Sequence, residues 1–182
     1  MDCCLSFSKK CTKNTNLIEF QFKFLHRHVP TNNFSFRIRL QGNEKCSFCH
    51  TSSESIIHLF WSCSQTSHFW NTLTEWLKNV NLLPRDYALT NITALGLRPD
   101  ISQFVLLINY YFLLAQYHIW LTKTIDDHPN LTHFIFTLKS QYENRNKKWR
   151  HKEMETSYRI YEDLIIILDY IFYTYRYLSP TH

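Results

Sequence analysis

The chain has 182 residues, of which 45% are hydrophobic, 16% are aromatic and two are glycine. This composition excludes a disordered chain, which lacks the apolar area to fold, and argues against a turn-rich β-sandwich or a glycine-rich phosphate loop. The formal net charge of +5 is compatible with a nucleic-acid partner but does not identify one by itself.

Residues 1–15 form a polar lead-in that contains Cys3, Cys4 and Cys11. No histidine lies near these cysteines, which favours free thiols over a second metal site. The segment also lacks the apolar core of a secretory signal, so we expect a nuclear or cytoplasmic protein that is not secreted. Cysteines stay reduced in the nucleus and cytoplasm, so metal binding is favoured over disulfide bonds.

Two elements are predicted before the remaining cysteines. A helix begins near Asn16, with Glu19 three residues later as in a capping box. Pro30 ends this helix, because the residue before a proline is pushed out of α geometry. The stretch 32–40 alternates apolar residues with Ser35, Arg37 and Arg39, which predicts a short strand or an extended segment with an arginine face.

Three further helices are predicted from their apolar spacing, over residues 68–80, 100–124 and 130–152. The second is apolar nearly all round, which is typical of a core helix, and the second half of the third is strongly basic. The fold class predicted is mainly α: a helical bundle with a small irregular Cys/His segment, allowing one short strand or hairpin.

The apolar stretch 158–178 is interrupted by Glu162, Asp163, Asp169 and Arg176, which favours a buried terminal helix or an ill-folded extension over a membrane span. We therefore expect four regions. They are a lead-in (1–15), a Cys/His segment with flanking helices (16–80), a helical region with the basic helix (81–155) and an apolar tail (156–182).

Four potential metal ligands lie within one short segment: Cys46, Cys49, His58 and Cys63. Zn²⁺ prefers thiolate and imidazole ligands in a tetrahedron, and four protein ligands leave no open position for hydrolysis. The spacing therefore predicts a structural zinc site, whereas the alternative is four ordinary buried side chains. His50 and His68 are rival donors; His50 adjoins Cys49, which makes coordination by both awkward.

Basic residues suggest where nucleic acid would bind. Three arginines flank the metal segment, namely Arg27, Arg37 and Arg39, and six residues form a basic run, namely Lys139, Arg145, Lys147, Lys148, Arg150 and Lys152. Contacts of this kind with phosphates give salt-dependent affinity, although a solvated helix face would show the same run. Phe48 and Trp61 either stack on unpaired bases or pack around the metal.

Residues 17 to about 77 resemble the zinc-binding segment of LINE-type (non-LTR) retrotransposon reverse transcriptases. The resemblance is carried by these motifs: Lys23 to Arg27, Pro30-Thr31-Asn32, the Cys46/Cys49 pair, Glu54 to Ile56, His58-Leu59-Phe60, Cys63 and Phe69-Trp70. It implies a module that follows the polymerase and binds template RNA or target DNA. It also allows a reverse-transcriptase domain of a related polyprotein as a second partner.

The polymerase acids themselves are not recognisable in the sequence. Asp126 and Asp127 are adjacent, but Pro129 follows almost at once, which is typical of a helix-end loop. We therefore predict a non-catalytic chain with RNA or DNA as partner and no membrane. The alternatives are a structural or protein-interaction domain that docks on the polymerase or another protein, and an inert fragment of a decayed element.

Overall fold

The computed structural model describes the backbone of residues 14–91, 94 and 103–149, and the side chains of residues 14–91, 94 and 108–140. The chain is mainly helical, as predicted. It divides into two compact units, with the boundary between Leu131 and Thr132. The predicted tail 156–182 and nearly all of the lead-in lie outside the described residues.

Helix α1 spans Thr15–Leu25. Its N-cap is Asn14, whose side chain accepts a hydrogen bond from the Asn16 N–H at 3.0 Å, so the predicted cap at Asn16 lies inside the helix. Glu19 does not close a capping box and instead pairs with Lys23 at 2.6 Å. The helix also ends before Pro30, because Arg27 adopts a left-handed backbone conformation (φ 57°) that stops it.

The strand predicted over residues 32–40 is wrong. Asn32–Arg37 form a short helix, α2, whose N-cap Thr31 accepts a hydrogen bond from the Phe34 N–H. A left-handed residue, Arg39 (φ 60°), ends this helix in the same way as Arg27 ends α1. No residue of α2 is buried, so the alternation of apolar and polar residues does not mark a buried sheet face here.

The core of the first unit lies between α1, a single π-helical turn (His58–Ser62), α3 (Ser64–Asn79) and α4 (Gln103–Thr124). Phe60 of the π turn lies against Phe24 with ring centroids 4.9 Å apart. Trp70 of α3 meets Phe112 of α4 edge to face at 5.9 Å. The part of α4 whose side chains are described, residues 108–124, is buried on most sides. None of the described helices has both the length and the apolar character needed to cross a bilayer.

Helix α5 spans Leu131–Trp149 and lies almost wholly in the second unit. This agrees closely with the helix predicted over residues 130–152. Phe134, Ile135 and Leu138 are its buried apolar residues within the part whose side chains are described.

Candidate metal centre

Cys46 and Cys49 lie on a tight knuckle formed by residues 45–53. An antiparallel bridge between Lys45 and Ser53 closes the base of the knuckle, and the Cys46 N–H donates to the Ser52 carbonyl at 2.8 Å. At the tip, the Phe48 N–H points to the Cys46 sulfur at 3.4 Å. His50 follows in a left-handed conformation (φ 56°), so the chain turns back immediately after the second cysteine.

His58 and Cys63 are placed by the π turn. The Cys63 N–H donates to the His58 carbonyl at 2.8 Å, which is the five-residue spacing of a π helix. Cys63 then adopts an extended conformation and serves as the N-cap position of α3. Because Leu59 and Phe60 between them are fully buried, the turn is fixed to the core and both ligands are fixed with it.

The four predicted ligands come together in one cluster. Their ligand atoms all lie within 4.8 Å of one another. The Sγ atoms of Cys46 and Cys63 are 3.8 Å apart, and Cys49 Sγ is 3.3 Å from His58 Nε2. Two sulfurs on a tetrahedral ion with metal–sulfur distances of about 2.3 Å would be separated by about 3.8 Å. The cluster could therefore hold a metal ion with four protein ligands.

The sulfurs are also prepared electrostatically for a cation. A hydrogen bond between Cys46 and Cys63 lowers the pKa of Cys63 and, together with burial, raises the pKa of Cys46. Burial opposes ionisation of Cys49, but hydrogen bonds from the Ser52 backbone and the Thr51 side chain outweigh it and lower its pKa to about 7. Metals bind the thiolate form of cysteine. The lowered pKa values of Cys49 and Cys63 favour that form, whereas Cys46 would release a proton when a metal binds.

A buried carboxylate connects the knuckle to the rest of the unit. Glu54 is fully buried, and its oxygens accept hydrogen bonds from the Ser47 N–H at 2.7 Å, the Ser47 hydroxyl at 2.8 Å and the Asn32 N–H at 2.8 Å. The ammonium group of Lys123, near the end of α4, forms an ion pair with the same carboxylate. The knuckle, the start of α2 and the end of α4 are therefore held at one point.

Lys123 satisfies its remaining donors on the same segment. It donates to the Asn32 side-chain oxygen at 3.1 Å and to the Pro30 carbonyl at 3.2 Å. Local sequence does not reveal this pair, because its members are 69 residues apart. A lysine near the end of an otherwise apolar core helix was the available signal, since a lysine in such a position needs a buried acidic partner.

The structure shows whether the rival donors and the aromatic residues of this segment are exposed or buried. His50 and His68 are exposed, and neither belongs to the cluster. Phe48 is 3% exposed and lies 6.0 Å, ring to ring, from His128. It therefore packs within the protein and does not present a face to a base, whereas Trp61 is half-buried.

Asp126 and Asp127 lie in the turn after α4, where Asp127 accepts from the His128 N–H at 2.7 Å.

The predicted nucleic-acid contacts divide between the two units. Arg27, Arg37 and Arg39 are exposed in the first unit. In the second unit, Lys139 is exposed on α5, and the backbone of α5 also carries Arg145, Lys147 and Lys148. Arg150 and Lys152 lie outside the described residues.

The chain matches no family model, no curated protein and no solved structure. Its chemistry is therefore inferred from its own residues.

Proposed function

We propose that the cluster binds one structural Zn²⁺ ion. Three sulfurs and one imidazole nitrogen are the donor set that zinc prefers, and a set of four protein ligands leaves no coordination position for a substrate or a catalytic water. The 3.8 Å separation of the Cys46 and Cys63 sulfurs supports this assignment. The ion would fix the knuckle to the π turn, and therefore to the core.

We further propose that the chain is a non-catalytic module that binds nucleic acid, template RNA or target DNA, like the reverse-transcriptase tail that its sequence resembles. The observation that carries this proposal is the set of exposed arginines on the segments flanking the cluster: Arg27, Arg37 and Arg39. Guanidinium groups on a surface fixed by a metal ion are suited to phosphate contacts. The basic residues of α5 add positive charge in the second unit.

Fluorescence anisotropy with a labelled RNA strand and a labelled DNA duplex tests the proposal. We expect affinity to fall steeply with salt, because each phosphate contact releases counterions. Exchanging all three arginines for glutamine (R27Q, R37Q and R39Q) should flatten that dependence by about two units in the log–log slope. Arg85→Gln, which removes one exposed charge elsewhere in the unit, should change the slope far less. The variant K147Q/K148Q tests α5 separately.

Two results would contradict the proposal. One is the absence of binding to either nucleic acid at low salt. The other is an affinity that does not change with salt or with neutralisation of the arginines. In either case the second candidate, a protein-docking domain, would account better for the surface.

That second candidate is favoured by the exposed apolar residues of α2 and the turn after it, among them Phe36 and Leu40. Large exposed apolar patches often mark protein interfaces. A reverse-transcriptase domain of a related polyprotein is the partner that the sequence resemblance suggests. Co-sedimentation of the two purified proteins, with nuclease added to remove any bridging nucleic acid, tests this candidate.

A further inference from the structure

The segment after Thr31 exposes an unusual density of large apolar side chains. Phe34, Phe36, Ile38 and Leu40 are 52%, 44%, 49% and 79% exposed. The other exposed large apolar residues among those the structure describes are scattered along the chain: Phe22, Ile57, Leu121, Ile125 and Phe136. Single exposed apolar side chains need no explanation, but four within seven residues form a patch.

The exposure of these apolar side chains does not result from weak attachment, because hydrogen bonds hold the segment to the knuckle. The Asn32 side chain donates to the Lys45 carbonyl at 2.7 Å, and the Asn33 side chain donates to the Ser53 hydroxyl at 2.6 Å. Glu54 holds the Asn32 N–H as described above. The segment is therefore attached to the knuckle by its polar groups and faces solvent with its apolar groups, which reverses the usual arrangement of a surface helix.

Two of these exposed side chains, Phe36 and Leu40, border a shallow, open groove of about 470 Å³. Six residues line it: Phe36, Arg37, Arg39, Leu40, Gln41 and Gly42. The lining contains two guanidinium groups and no carboxylate. The nearest acidic residue along the chain, Glu44, accepts a hydrogen bond from Ser53. The groove therefore joins positive charge to exposed aromatic and aliphatic surface.

We infer that this groove binds single-stranded nucleic acid, with an unpaired base against Phe36 and Leu40 and the adjacent phosphates on Arg37 and Arg39. This inference rests on the proposed function, because it assigns a particular surface and strand type to nucleic-acid binding. In a duplex the faces of the bases are stacked on one another, so an aromatic side chain finds no open base face to stack on. An unpaired base offers its aromatic face, and stacking on a protein ring is tolerant of sequence.

The backbone of Arg39 makes a glycine substitution at this position informative. Arg39 has φ 60°, a conformation that favours glycine and costs stability for other residues. A glycine there would end α2 at lower cost, but it would remove one of the two positive groups of the groove.

The test compares a labelled oligouridine strand with a labelled 15-base-pair duplex, using the full chain with zinc bound. Phe36→Ala should weaken binding of the single strand by at least about fivefold and leave the duplex unchanged, and Phe36→Trp should retain strong binding. The matched control is Phe22→Ala, which removes a phenyl ring of similar exposure (41%) outside the groove. Equal effects of the two alanine variants on the single strand would overturn the inference.

Arg39→Gly gives an independent readout that does not depend on a destabilised variant. We expect its melting temperature to rise by about 2–4 °C, since the strain is removed, while its affinity for the single strand falls several-fold. A purely structural role for Arg39 predicts the rise without the loss of affinity, and that result would overturn the inference.

The possible failures can be told apart. If neither strand type binds the unaltered chain, the proposed function fails together with the inference. If both bind with steep salt dependence but Phe36→Ala behaves as Phe22→Ala does, only the groove assignment fails. If Phe36→Ala instead abolishes self-association of the chain and leaves nucleic-acid affinity intact, the patch is a protein interface and the inference is overturned.

Discussion

Two neighbouring regions of the first unit distribute their side chains in opposite ways. One is residues 45–63, which contain the Cys/His cluster, and the other is residues 32–42, which contain α2 and the groove. Hydrogen bonds join the two regions. The first region buries a charged group, Glu54, while the second exposes large apolar groups such as Phe36 and Leu40. Partners inside the chain explain the buried carboxylate, because Ser47, Asn32 and Lys123 satisfy it. No partner within the described residues covers the exposed apolar groups, and the single strand proposed above would cover them.

The largest effect is expected from removing a ligand of the cluster. Cys46→Ser should abolish stoichiometric zinc binding and the cooperative unfolding of the first unit, because metal binding to such sites supplies about 10 kcal/mol or more of folding free energy. Elemental analysis and thermal unfolding of the purified variant measure both effects. Cys11→Ser serves as the control, and one zinc ion retained by Cys46→Ser would contradict the assignment.

The next largest effect concerns the buried ion pair. Glu54→Gln should destabilise the protein by about 3–5 kcal/mol, since it leaves the Lys123 ammonium buried without its counter-charge. Urea unfolding measures this change. Glu19→Gln removes the acid of an exposed pair and should cost less than about 1 kcal/mol. Similar costs for the two variants would contradict a buried, charge-compensated carboxylate at Glu54.

Zinc affinity should depend on pH in a defined direction. Metal binding requires thiolates, so protons compete with the metal, and affinity falls as pH falls. Above pH 7 the proton on Cys46, whose pKa is raised, gives a change of about tenfold per pH unit. Below pH 7 the fall should be steeper, because Cys49, with a pKa of about 7, also becomes protonated. Competition with a chelator between pH 8 and pH 6 checks this, and a flat profile would contradict it.

The smallest effect concerns a strained backbone position in the metal region. His50→Gly should stabilise the protein by about 0.5–1 kcal/mol, because glycine adopts the left-handed conformation without steric cost. Its zinc content should stay unchanged, since His50 lies outside the cluster. Asn81→Gly is the control: Asn81 has φ 58°, but asparagine tolerates that conformation, so the gain should be smaller. Loss of zinc from His50→Gly would mean that His50 is a ligand.

The sequence was sufficient to identify the helices that bury a face and the four residues of the Cys/His cluster. Apolar spacing located α3, α4 and α5 to within a few residues, because packing against a core imposes that spacing. Ligand chemistry and spacing favoured His58 over His50 and His68, and the π turn does bring His58 to the sulfurs while the other two histidines are exposed.

The sequence was not sufficient where tertiary contacts or capping decide the structure. Residues 32–37 alternate like a strand, but α2 buries neither face, so the alternation carries no information about a sheet. The cap at Thr31 and the hydrogen bonds of Asn32 to the knuckle hold it as a helix instead. The Glu54–Lys123 pair could not be read from local sequence, because it joins elements far apart in the chain.

The distance in sequence between Glu54 and Lys123 also sets an order of events during synthesis. All four metal ligands leave the ribosome before α4 is complete, and Lys123 follows Glu54 by 69 residues. At about 5–20 residues per second, that separation corresponds to about 3–14 s. During this interval the knuckle can take up its metal while the Glu54 carboxylate still faces water. Emergence of Lys123 then completes the attachment, so the proposed zinc uptake and the final docking of the knuckle can occur as separate steps during synthesis.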